Sequence, residues 1–271
     1  MSRKLLISWC LTPIFCLIVF SIFAREEQVE TSSYYFFHQR KHNFSSTAWI
    51  PSGKIALFSE NQFLLKELCS AYLSMNYCLK GNAVAMQMEH FGYLKYGILT
   101  LSAGYAREFA QRVTFGLQVH YMMHHVEAYS KTHSFTFDLS IFGKISSKIG
   151  IGIAVYNPAN LKYGLIGKEK IPMRCYLTIN YQVNEKLILA VGASKHLPGF
   201  FDVNGTVCFK NKFVGFFTEI SLKQMGILFS FWWKKLQFDL GGSFNYRLGF
   251  SPSAGISYPL NSIKKIPANN P

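Results

Sequence analysis

Arg112 to Met123 read RVTFGLQVHYMM. Val113, Phe115, Leu117, Val119, Tyr121 and Met123 are apolar or aromatic, while Arg112, Thr114, Gly116, Gln118 and His120 between them are polar or tiny. Only Met122 breaks the order. A repeat of two sends alternate side chains to opposite faces of an extended strand. An amphipathic helix would repeat at three and four instead. The ribbon is also long. Soluble strands usually run about five or six residues, whereas a tilted strand crossing a bilayer takes about nine to eleven.

The same ribbon recurs on both sides of this stretch. Before it come Lys54 to Phe58, Cys69 to Lys80, the segment carrying Val84, Met86 and Met88, and Tyr96 to Phe109. After it come His133 to Lys144, Ile149 to Val155, Arg174 to Gln182, Leu187 to His196 and Phe201 to Lys210. Phe213 to Lys223, Met225 to Lys234, Leu236 to Arg247 and Ala254 to Tyr258 complete the series. That makes about fourteen strands, an even number that brings both ends out on one side. The gaps alternate in length. Ser59 to Lys66, Gly92 to Lys95, His124 to Thr132 and Asn157 to Pro172 are long, whereas Lys80-Gly81, Ser146-Ser147, Asn184-Glu185-Lys186 and Asn211-Lys212 are tight. Short turns at one rim and longer loops at the other predict an all-β fold, a closed antiparallel transmembrane β-barrel. Closure also removes the sheet edges that would otherwise aggregate.

Composition agrees with this reading. Charged residues are 15% and aromatics 16% of 271 residues, with a mean hydropathy of +0.13. A helical membrane protein would need several apolar runs of about twenty residues. One exists, Leu5 to Phe23, behind Arg3-Lys4 and ahead of Ala24 and Arg25-Glu26-Glu27. A basic start, an apolar run and a small residue before a polar stretch read as a cleaved signal peptide over 1–24. Residues 25–52 form a polar N-terminal segment, 53–260 the barrel and 261–271 a polar C-terminal tail. The expected location is the Gram-negative outer membrane. Tyr34-Tyr35-Phe36-Phe37 and Trp49 give the polar segment apolar surface that would be a liability in water. It is expected to act as a plug within or beneath the lumen.

The formal charge of +14 comes without a dense basic block, which argues against nucleic acid as a partner. Dispersed Lys and Arg at strand ends suit anionic head groups of outer-membrane lipids. Alternation puts Cys69 and Cys78, and likewise Cys175 and Cys208, on opposite faces, and no CxxC occurs. Free thiols are therefore expected.

Enzymatic and metal chemistry find little support. Asn157-Pro158-Ala159 occurs once, after a strand, where Asn-Pro begins a loop. His120, His124, His125 and His133 lie near Glu127 but lack the helical spacing of a metalloprotease, and a solvated loop is the simpler reading. No Gly-x-Ser-x-Gly elbow or nucleophile-and-base pair stands out. No catalytic residue, metal ligand or cofactor site is assigned, and the protein is read as not an enzyme. The inward set is more informative: Arg112, Gln118, His120, Asp138, Arg174, Asp202, Glu219, Asp239 and Arg247 are candidate lumen-facing residues. Both signs occur, so these groups suit pairing across the lumen. A barrel of this size encloses more space than an eight-stranded one, which side chains nearly fill. Water, a ligand or the N-terminal segment must fill the remainder. Leu117→Arg is expected to block assembly and Gln118→Arg to be tolerated.

GYLKYGILTLSAGYAREFAQRVTFGLQVHYM (Gly92–Met122) and GIGIAVYNPANLK (Gly150–Lys162), with the leader and strand series, resemble a family of outer-membrane barrels. It groups the long-chain fatty-acid transporter FadL with the secretion-linked PorV and PorQ proteins. Asn61-Gln62-Phe63 stands where that family usually has Asn-Pro-Ala before the first hairpin, and no ligand site is carried over. The transporter branch implies a passive, porin-like porter for a small hydrophobic solute. The secretion-linked branch implies a non-transporting scaffold that works with other proteins of the cell envelope.

Overall fold

The computed structural model describes residues 44–45, 53–79, 81–110, 112–127, 131–163, 170–211 and 213–260. The expected signal peptide, the C-terminal tail and all of the N-terminal segment except Phe44 and Ser45 lie outside the described residues.

The first strands are β1 (Lys54–Asn61), β2 (Cys69–Leu79), β3 (Asn82–Gly92), β4 (Tyr96–Phe109) and β5 (Val113–Val126). Next come β6 (Thr132–Lys144), β7 (Ile149–Tyr156), β8 (Met173–Asn184), β9 (Leu187–Leu197) and β10 (Phe201–Lys210). The last are β11 (Val214–Ser221), β12 (Gln224–Trp233), β13 (Leu236–Asn245) and β14 (Gly249–Pro259). Each pairs with its sequence neighbour and β1 closes on β14, giving a closed antiparallel transmembrane barrel of fourteen strands. The seam holds from Lys54↔Pro259 to Glu60↔Ser253, and Leu260 N–H donates to the Gly53 carbonyl just beyond it. No sheet edge remains among these strands.

The period of two sets the polarity of the wall. In β5, Thr114, Gly116, Gln118, His120 and Met122 are buried in the lumen, while Phe115, Leu117 and Val119 are each almost half exposed. Buried polar residues recur around the inside at Ser70, Ser74, Asn76, Thr136, Ser140 and Ser230. Large apolar residues recur around the outside at Leu57, Met86, Leu101, Leu139, Ile179, Val191 and Leu240. A soluble protein could not leave that belt in water; a bilayer requires it. Aromatics mark both ends of the belt, Tyr93, Tyr96 and Tyr246 at one and Phe213 and Trp233 at the other. No described helix is long and apolar enough to cross a membrane.

The rims differ. The strand ends that carry the chain termini connect through turns of two to four residues, and the opposite rim carries the long β7–β8 connection, 157–172. Two 3-10 turns, Gln62–Leu64 and Lys66–Leu68, fold over that same rim between β1 and β2. Asn157 organises the β7–β8 connection from a positive φ of 52°. Its side-chain amide donates to the Ile171 carbonyl at 2.6 Å, and its side-chain oxygen accepts from Leu161 N–H at 2.9 Å. Asparagine tolerates this left-handed backbone better than most residues because its short polar side chain bonds locally.

Candidate functional site

The lumen is not an open tube. Phe44 is 2% exposed and packs on Ala83, Ala85 and Ala106, lumen-facing residues of β3 and β4. The ring fits because Gly104 has no side chain; a Cβ there would lie 2.7 Å from Phe44 Cζ. Ser45 N–H donates to Ser140 Oγ at 3.0 Å, beside Gly116. These two residues of the N-terminal segment therefore sit inside the barrel, toward the rim with the short turns. A second obstruction crosses the lumen from β1 to β10, β11 and β12. Ala56 and Phe58 meet Cys208, Phe217 and Leu228, with Tyr72 and Ile188 packed against them.

Above that apolar floor lies a cavity of about 440 Å³ in the half of the barrel with the longer connections. Its β8–β10 wall presents Arg174, Tyr176, His196, Asp202 and Asn204, and its far side presents Glu60 and Tyr72. Phe63, Phe200 and Lys223 bring it to the rim. Asn204 donates to Glu219 at 2.7 Å and Ser243 donates to Glu60 at 3.0 Å. The Arg174 guanidinium lies 5.5 Å from the centre of the Tyr156 ring, and the Lys223 ammonium lies over Phe200. Gly192 leaves room for the Asn204 amide, which an added Cβ would meet at once.

The candidate residues divide into four groups. Arg174, Asp202 and Glu219 meet at this cavity. Gln118, His120 and Asp138 lie together on the β5–β6 wall, away from the residues that line it. Asp239 is fully buried on β13, where Ser230 and Gln237 both donate to its Oδ1, and Lys54 reaches Gln237 at 2.9 Å. The last two lie in turns. Arg112 is half-buried in the turn between β4 and β5, where its N–H donates to the Phe109 carbonyl. Arg247 is exposed in the β13–β14 turn, which corrects its assignment to the lumen. The cause is Asn245, whose side-chain oxygen accepts from the N–H groups of Arg247 and Leu248 and ends the strand two residues early.

The histidines also depart from expectation. His124 and His125 belong to β5 and not to a loop, because β4 extends far enough for Tyr96 to pair with Val126. Alternation then sends His120 and His124 inward and His125 and His133 outward. His133 instead bonds Tyr121 on the outer surface. The four cysteines described are free thiols, and Cys208 alone among them is buried.

One arrangement was not legible in the sequence. Ser102 on β4 bonds His120 Nδ1 at 2.8 Å, and His120 Nε2 bonds Asp138 on β6 at 2.5 Å. A serine, a histidine and a carboxylate are thus joined in a line across three strands. The ring nitrogens are used in the opposite sense to the hydrolase triad, where Nε2 faces the serine. Ser102 is 8% exposed and does not line the cavity, so no substrate approach is visible. The line satisfies buried polar groups on the wall between Ser45 and Tyr156, whose ring lies 5.5 Å from His120. Eighteen residues separate each successive pair, a distance across which periodicity carries no pairing information.

No family model matches this chain, and no curated protein matches it either. Solved structures do. The TodX deltaS2S3 mutant, a monoaromatic hydrocarbon channel, aligns over 82% of this chain and 94% of its own, with a TM-score of 0.63 at 9% identity. The Pseudomonas putida toluene transporter TodX aligns over 89% of this chain and 99% of its own, with a TM-score of 0.61 at 10% identity. At such identity the likeness shows the fold. That fold is the closed barrel, and the likeness does not choose between the transporter and secretion-linked branches.

Proposed function

We propose that this protein is an outer-membrane barrel that lets a small solute with a hydrophobic body pass by diffusion. The observation that carries the reading is the cavity above the floor made by Phe58, Phe217 and Leu228. A water-filled porin would have a wet, continuous lumen. Here any crossing solute must leave the polar mouth and displace apolar side chains, which favours an apolar body over an ion. The likeness to a toluene transporter and to a hydrocarbon channel supports the same reading. The apolar outer belt suits bilayer lipid as the surrounding partner, and the chain is read as non-enzymatic.

Phe44, Ser45 and the apolar floor favour one rival, a closed barrel that serves as an envelope scaffold. Liposomes loaded with the folded full-length protein separate the two. The porter reading expects 2-phenylethanol to enter protein-containing vesicles faster than empty ones, with no matching rise for sodium or chloride. Equal entry with and without protein would leave the scaffold.

A further inference from the structure

We propose that the cavity binds a small zwitterion of the class of an apolar α-amino acid or short peptide. Arg174 and Lys223 take its carboxylate, Asp202 takes its ammonium, and Tyr72 and Tyr176 take its apolar body. This refines the porter reading by naming the head group of the solute, and binding is measured apart from passage.

Charges that merely fill a lumen pair with one another, because an unpaired charge in a low-dielectric space is unfavourable. These do not. Arg174 rests on the Tyr156 ring, and its Nε is buried without a hydrogen-bond partner. Lys223 rests on Phe200. The Asp202 carboxylate accepts one bond, from Val203 N–H at 3.1 Å. None of the three forms an ion pair with a described residue. Yet all three line one cavity beside the His196 ring, so they converge on one place.

A simple anion placed there would meet Asp202 and Glu219, and a simple cation would meet Arg174 and Lys223. A neutral solute would leave all of them unanswered. A molecule with both signs answers both sets. β9 lies between β8 and β10, and Asp202 is level with Tyr176, two residues from Arg174, so the backbones of Arg174 and Asp202 stand about 12 Å apart. Their side chains reach inward from either side of that gap. A cavity of about 440 Å³ lies within the range of small-molecule sites. The aromatic lining beside the charges gives an apolar body its own surface.

Equilibrium dialysis on the folded full-length barrel in detergent tests this, using phenylalanine, phenylalaninamide, N-acetylphenylalanine and 2-phenylethanol. Heat-modifiable gel mobility verifies that each variant is folded. Phenylalanine is expected to bind about tenfold more tightly than phenylalaninamide or N-acetylphenylalanine, each of which loses one charge-assisted contact, and about a hundredfold more tightly than 2-phenylethanol, which loses both. Arg174→Gln is expected to weaken phenylalanine and N-acetylphenylalanine about tenfold but spare the amide, and Asp202→Asn to do the converse. Phenylalanine binding no better than 2-phenylethanol, or binding unchanged in both variants, would overturn the proposal. Binding with this pattern but no entry into liposomes would keep the site and remove the porter.

Discussion

Leu117 and Gln118 are chain neighbours in opposite surroundings, 46% and 3% exposed. Leu117 faces lipid, so Leu117→Arg is expected to prevent assembly, since a cation near the midplane of a barrel costs about 2–4 kcal/mol. Alternation alone makes Gln118→Arg look harmless, because the lumen is polar. In the structure Gln118 is buried and pairs in register with Asp138 beside the Ser102–His120–Asp138 line, so a longer side chain must displace its neighbours. Overpacking such a site costs about 1–3 kcal/mol. Thr178 is the better inward partner because it lines the cavity. Thr178→Arg is expected to give the wild-type yield of heat-modifiable barrel in membranes while Leu117→Arg gives little. Equal yields would contradict the assignment of faces. The comparison isolates facing from chemistry, because the introduced residue is the same in both.

At the scale of strands, β3 and β4 form a seat whose side chains have been removed. Ala83, Ala85, Gly104 and Ala106 are small because Phe44 occupies the space that larger residues would fill. Gly104→Val is therefore expected to expel the ring, loosen the N-terminal segment and raise single-channel conductance in planar bilayers. Gly226→Val is the control, since a Cβ at Gly226 meets nothing within 4 Å. Unchanged conductance in both would mean that Phe44 does not limit passage. This seat also shows where sequence reading stops. Alternation is local, so it revealed the strands and the facing of Arg174, Asp202 and Glu219 without any partner in view. Strand ends depend on neighbours, which is why His124 and His125 join β5 and Arg247 falls in a turn. What occupies the lumen depends on contacts such as Ser45 with Ser140, 95 residues apart, and no period encodes those. The run of small residues was the available signal, but glycine and alanine in a strand equally mark a bulge or a close backbone approach.

For the whole molecule, the difference between the rims sets which end faces out. Gly53 and Leu260 meet at the rim with the short turns, alongside Glu185-Lys186 and the other tight connections. The opposite rim carries the β7–β8 connection, the 3-10 turns and the mouth of the cavity. Outer-membrane barrels place short turns in the periplasm and longer loops outside. The cavity would then meet solute arriving from the medium, with Phe44 and Ser45 on the periplasmic side of it. An epitope inserted at Gly199, in the β9–β10 connection, is expected to bind antibody on intact cells. Gly199 tolerates added atoms, since a Cβ there finds its nearest neighbour, the His196 carbonyl, at 3.5 Å. The same epitope between Glu185 and Lys186 is expected to bind only after the outer membrane is permeabilised. Reversed accessibility would turn the barrel over, put the cavity on the periplasmic side and make export the direction to test.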